Sequence, residues 1–157
     1  MNIQELKQEF IKYYGGDESG IRIFHSPGRV NLIGEHTDYN GGFVFPAALT
    51  MGTTIALRKN NENIIRLRAT DLPDFVEADI SKLDSYKELH WGNYQLGSAL
   101  ELSKLGYRIW GCDMLYHDTL PHGGGLSSSA AIEVSTALAF ATLANSQKSA
   151  AEHNMSW

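Results

Sequence analysis

From Phe43 to Ile80 the chain is rich in β-forming residues, and this run constrains the fold more than any other feature. Candidate strands fall at Phe43 to Phe45, Thr53 to Arg58, Ile64 to Ala69 and Phe75 to Ile80, the middle pair separated by Asn60-Asn61-Glu62-Asn63. Antiparallel sheet is the expectation there. Helices are few. Asn2-Ile3-Gln4-Glu5 resembles a capping box, and Ile3, Leu6, Phe10 and Tyr13 then recur at spacings of three and four until Gly15-Gly16, which predicts an N-terminal amphipathic helix. Tyr94 to Leu105, followed by Gly106, and Ser127 to Asn145, dominated by alanine, leucine and valine, predict two more. Ile21-Arg22-Ile23-Phe24-His25 predicts a strand that ends at Ser26-Pro27-Gly28, and Ile109 to His117 predicts another. Long strand runs with few helices fit an α+β fold better than a doubly wound parallel sheet, in which the two alternate strictly.

At 157 residues the chain has room for one domain. Its formal charge is −5. Its basic residues, among them Arg22, Arg58, Arg66, Arg68 and Arg108, lie scattered, so no Lys/Arg block is present to neutralise a run of phosphates, and nucleic acid is not an expected partner. The single cysteine, Cys112, leaves no intrachain disulfide and no Cys-rich zinc site. The first residues form neither a basic n-region nor an apolar h-region, and no apolar run approaches the roughly 18 to 20 residues that cross a bilayer. A reducing, cytoplasmic setting away from membranes is therefore expected.

Two segments carry chemistry. In Pro121-His122-Gly123-Gly124-Gly125-Leu126-Ser127-Ser128-Ser129-Ala130-Ala131, three glycines and three serines meet where a helix should start. Glycine lets backbone N–H groups approach an oxyanion without a Cβ in the way, and the helix N-terminus adds partial positive charge. Serine hydroxyls donate to phosphate or ligate Mg²⁺. Taken alone the segment also reads as a loop with a serine N-cap. Neither the P-loop ending nor Gly-x-Gly-x-x-Gly fits it.

The second segment, Ser26 to Gly42, holds Arg29, Glu35, His36 and Asp38 within ten residues and is bounded by glycines. Carboxylates and imidazole at this spacing can hydrogen-bond adjacent sugar hydroxyls, and Arg29 offers a fork of donors to a phosphate or carboxylate. Asn40-Gly41 reads as a turn. His36 and Asp38 as metal ligands would lack a completing His/Cys cluster.

Together these segments resemble the GHMP small-molecule kinases, and Pro27-Gly28-Arg29-Val30-Asn31-Leu32-Ile33-Gly34-Glu35-His36-Thr37-Asp38-Tyr39-Asn40-Gly41-Gly42 resembles the signature of the galactokinase family throughout. The resemblance implies the GHMP N-terminal domain, a ribosomal protein S5 domain 2-like mixed sheet with packed helices. It implies ATP-dependent phosphorylation of galactose at the C1 hydroxyl, giving galactose 1-phosphate and ADP. Glu35, His36, Thr37 and Asp38 would form the sugar site. Gly123, Gly124, Gly125, Leu126, Ser127, Ser128 and Ser129 would hold the ATP phosphates, with Ser129 also on Mg²⁺. Arg29 would stabilise the transferring phosphoryl group, and the adenine would lie between sheet and helix near Ile64 to Thr70.

The resemblance extends over residues 1 to 145, read as an incomplete domain, while Ser146 to Trp157 departs from the family's pattern and is read as an atypical tail. The family's catalytic Asp, second Mg²⁺-ligating carboxylate and third glycine-rich motif lie further along a longer chain, and none is present here. The expectation is a truncated kinase domain that keeps most sugar and phosphate ligands, lacks the base and is inactive alone. A non-catalytic galactose/ATP sensor and a kinase for another sugar stay open, although Glu35 would repel a carboxylated sugar. A serine hydrolase finds no Gly-x-Ser-x-Gly motif. Galactose and ATP are the expected ligands, and no protein partner is inferable.

Overall fold

The computed structural model describes residues 1–34, 36–86, 91–121 and 126–145. Its elements are α1 (Ile3–Tyr14), β1 (Arg22–Asn31), β2 (Pro46–Lys59), β3 (Ile64–Ala69), β4 (Phe75–Asp79), α2 (Asn93–Lys104), β5 (Cys112–Asp118) and α3 (Ser128–Asn145), with 3-10 turns at Asp38–Asn40 and Ile80–Tyr86. The architecture is α+β, as the strand-rich sequence predicts.

α1 begins as its sequence dictates. Asn2 accepts from the Glu5 amide and the Glu5 carboxylate accepts from the Asn2 amide, so two of the helix's unpaired donors are satisfied reciprocally. The sheet runs β1-β2-β5-β3-β4, with β3 and β5 parallel and the other neighbours antiparallel. Within 43–80 the β3–β4 pair is antiparallel, as expected, but β2 and β3 are not neighbours. β5 inserts between β2 and β3, because β3, alternating half-buried and buried, finds its second partner in a later strand.

Three local expectations also change. The strand from residue 21 does not stop at Pro27-Gly28 but continues to Asn31, with a register shift between Pro27 and Arg29. β1 is an edge strand, where a missing proline N–H and a bulge are tolerated. Residues 43–45 are not strand, and Phe43 is 99% exposed. The last strand starts at Cys112, since residues 109–111 serve as the connection into it.

The sheet buries both faces unequally. Ile55, Leu57, Ile65, Leu67, Met114 and Tyr116 point to the side covered by α2 and α3, where Leu96, Ala99, Ala139, Phe140 and Leu143 complete the main core. α3 meets the sheet through Ala131, Ser135, Ala139 and Leu143, four residues apart and mostly small, so the helix approaches closely. On the other face Ala56 and Leu115 are covered by Leu6 and Phe10 of α1. The Tyr14 hydroxyl donates to the Met114 carbonyl at 2.9 Å and pins the end of that helix. Because Phe10 is fully buried, Phe10→Ala should lower unfolding free energy in urea by about 3 to 5 kcal/mol. A loss under about 1 kcal/mol would mean that α1 is not part of the cooperative unit.

Candidate functional site

The two chemistry-bearing segments meet at one end of the β1 edge. The Arg29 amide donates to the Leu126 carbonyl at 3.1 Å, joining the strand that carries the first motif to the segment that enters α3. Gly28 permits this approach: a Cβ there would run into the Leu120 side chain and lie 3.0 Å from the Leu126 carbonyl oxygen. This is the close backbone approach for which a glycine is required.

Beyond Asn31 the chain forms a braced loop. Leu32 donates to the Phe45 carbonyl at 2.9 Å, and the Phe45 amide donates to the Ile33 carbonyl at 3.0 Å. The Thr37 hydroxyl lies 2.5 Å from the Gly34 carbonyl and 2.9 Å from the Phe43 carbonyl, and the Gly42 amide returns to the Thr37 carbonyl. Thr37 thus ties the two limbs of the loop together. Asn40 donates to the His36 carbonyl and Gly41 takes a left-handed conformation, so the Asn40-Gly41 turn has the local role its sequence suggests. His36 is exposed, and its Nδ1 lies 2.6 Å from the Tyr39 hydroxyl. Asp38 opens the 3-10 turn. Glu35 and Gly123, Gly124 and Gly125 lie outside the described residues, as does the segment from 146 onward.

Among the described residues two non-glycine residues have positive φ, and each falls in one of these segments: His36 at 62° and Ser127 at 59°. L-residues adopt this region rarely, and such strain clusters at sites that use it. Ser127 stands immediately before α3, its carbonyl accepting from the Ala131 amide at 3.0 Å. Leu126, Ser127 and Ser128 are half-buried, while Ser129 and Arg29 are exposed.

A cavity of about 340 Å³ opens from Ser128 and Ser129 inward between sheet and helices. Thr53, Trp91, Gln95 and Tyr116 line it, with Ala69 and Asp71 at the end of β3. Thr53 Oγ1, Trp91 Nε1 and Gln95 Oε1 are buried and have no hydrogen-bond partner among the described residues. A buried polar atom left unsatisfied is costly, so these three favour a ligand that offers both donors and acceptors. Burial raises the Tyr116 phenol well above its ordinary value, and its hydroxyl pairs with Thr136 at 3.0 Å, so it lines the cavity as a neutral wall. Ala69, at the end of β3, is among the residues that line this cavity. Trp91, Tyr94 and Gln95 escape the sequence reading: Trp91 stands just before the cap of α2, and Tyr94 and Gln95 lie in its first turn.

Two family descriptions match this chain: a galactokinase galactose-binding signature over residues 8–59 and the GHMP kinases N terminal domain over residues 93–154. A galactokinase of Clostridium tetani is 47% identical over 148 residues, 94% of this chain and 37% of that protein. The chain belongs to the galactokinase family of GHMP kinases. The Bacillus subtilis galactokinase is 43% identical over 83% of the chain and 34% of its own length. The Lactococcus lactis galactokinase solved with galactose superposes with a TM-score of 0.80 at 38% identity, covering 85% of this chain and 35% of that one. Methanococcus jannaschii mevalonate kinase, at 24% identity and a TM-score of 0.71, shares the fold. This galactokinase-family chain thus spans a little over a third of the length of the curated relatives it matches.

The Gly28 contact predicts that Gly28→Val forces the edge strand away from Leu126 and destabilises by about 1 to 3 kcal/mol. Amide exchange should show lost protection at Arg29. Protection equal to wild type would mean that the two segments do not depend on that contact.

Proposed function

We propose that the chain supplies the sugar and nucleotide sites of an ATP-dependent galactose 1-kinase. The observation that carries this reading is the Arg29–Leu126 backbone contact, which brings the galactose-binding signature against the serine-rich entry of α3. Phosphoryl transfer demands that acceptor and donor be held side by side, and positioning with charge neutralisation supplies most of its catalysis.

In this reading Glu35, His36 and Asp38 accept and donate to galactose hydroxyls, and Thr37 shapes the loop that presents them. Gly123, Gly124, Gly125 and residues 126–129 surround the ATP phosphates, and the cavity beside Trp91 and Gln95 receives the base. Arg29, exposed and without a carboxylate partner among the described residues, faces developing charge on the transferring group. The galactose C1 oxygen forms a bond to the γ-phosphorus as the bond to the ADP oxygen breaks, and the hydroxyl proton passes to a base. Mg²⁺ would neutralise phosphate charge. Among the described residues no cluster of three His, Cys, Asp or Glu side chains is poised for a metal, so the fit is one hard oxygen, Ser129, beside phosphate oxygens and water. No helix among the described residues is long and apolar enough to cross a membrane.

Since the base expected of the family is not among these residues, the 157-residue chain should bind its ligands and form no galactose 1-phosphate by mass spectrometry. Calorimetry on the same chain tests the two sites separately. Asp38→Ala should weaken galactose about ten- to hundredfold and leave ATP unchanged. Trp91→Ala should do the reverse. Galactose affinity unaltered by Asp38→Ala would remove that residue from the site, and ATP affinity unaltered by Trp91→Ala would move the base elsewhere.

A further inference from the structure

At the opposite end of the β2–β5 ladder from the nucleotide cavity lies a second polar corner. Thr53 pairs with Asp118 at one end and Lys59 with Cys112 at the other, six residues and about 20 Å away by strand rise. There the Lys59 ammonium sits 3.6 Å from the Trp110 ring centroid and the Arg108 guanidinium 3.7 Å from it. Two like charges are thereby held within about 7 Å of each other, where they repel. Neither has a carboxylate partner among the described residues. Cation–π attraction holds each to the ring and does nothing to relieve the repulsion between them.

The surroundings form a receptacle. A cavity of about 360 Å³ lies between Lys59, Arg108 and Trp110 and the turn of residues 60–63. The Asn60 amide donates to the Gly111 carbonyl at 2.9 Å, and a Cβ on Gly111 would collide with the Glu62 carbonyl, so the turn is fixed against the connection that carries Arg108 and Trp110. Glu62, the carboxylate in the lining, is bound to Arg66 and its charge is spent there. The side chains of Asn60 and Asn63 are engaged by Asp113 and Asp79, which leaves Asn61 exposed as an amide donor. Trp110 Nε1 is buried without a partner among the described residues.

We infer that this corner is an anion seat for a small phosphate-bearing ligand, separate from the nucleotide site. Lys59 and Arg108 both border the cavity, so a tetrahedral oxyanion held there is attracted by both charges. It can also accept from the Asn61 amide. The phosphate can come from free inorganic phosphate or from a sugar phosphate, and the two are separable by experiment.

The test is heteronuclear NMR at low ionic strength on the ¹⁵N-labelled chain, following the Trp110 indole N–H while inorganic phosphate or glucose 6-phosphate is added. The expected result is a saturable shift of that resonance. Response to both ligands identifies free phosphate as sufficient, and response to the ester alone identifies a sugar phosphate. An indole that moves with neither ligand overturns the inference. In calorimetry the Lys59→Gln, Arg108→Gln double variant should bind about tenfold or more weakly. Affinity equal to wild type would place the anion elsewhere, at the α3 entry, and would also overturn it.

Discussion

The structure turns on a single backbone contact, the Arg29 amide against the Leu126 carbonyl, at a point where Gly28 has no side chain to hold the strands apart. It converts two loops, separated by most of the chain, into neighbours. The β1 edge must continue through Pro27 and Gly28 to make it, and past the register shift there Arg29 pairs with Ala48 of β2. Without that extension the polar loop beyond Asn31 would have no fixed relation to the start of α3.

Around this contact the molecule distributes its strain and its unsatisfied groups unevenly. His36 and Ser127 hold left-handed backbone conformations on either side of it. Thr53, Trp91 and Gln95 keep polar atoms in the adjacent cavity that have no partner among the described residues. Arg66 of β3 is by contrast fully paired: it is bound to Glu62, Glu77 and Asp113, which raises its already high pKa further, chiefly through the Glu62 hydrogen bond. Cost left in place beside a cavity is the pattern of a binding site. The Lys59–Arg108–Trp110 corner repeats it at the far end of the same strands.

Much of this was legible in residue order. α1 and its capping box, α2 to within one residue, β3, and α3 from Ser128 follow from periodicity and caps, because those signals are local. The pairing of the sheet is not local. Nothing in Ile64 to Ala69 says that its parallel partner is Cys112 to Asp118, and Pro27-Gly28 signals a break unless it is known that β1 lies at the edge. At the site, the residue types of Arg29, His36 and Asp38 are informative in sequence, since few scaffolding needs gather them. Thr37 stands among them in sequence, and its hydroxyl is spent on two carbonyls of its own loop. Trp91 and Gln95 look like an ordinary helix start, and only the fold brings them opposite Thr53.

The central claim is that sugar and nucleotide lie side by side across the Gly28–Leu126 contact. Paramagnetic relaxation tests it most directly: ¹³C-labelled galactose is bound to the chain together with a Mn²⁺ complex of a non-hydrolysable ATP analogue, and relaxation is read at each sugar carbon. The account predicts strong, nucleotide-dependent relaxation, greatest at C1 and abolished by Gly28→Val. Relaxation that is absent, or equal at all six carbons with both ligands bound, would contradict it.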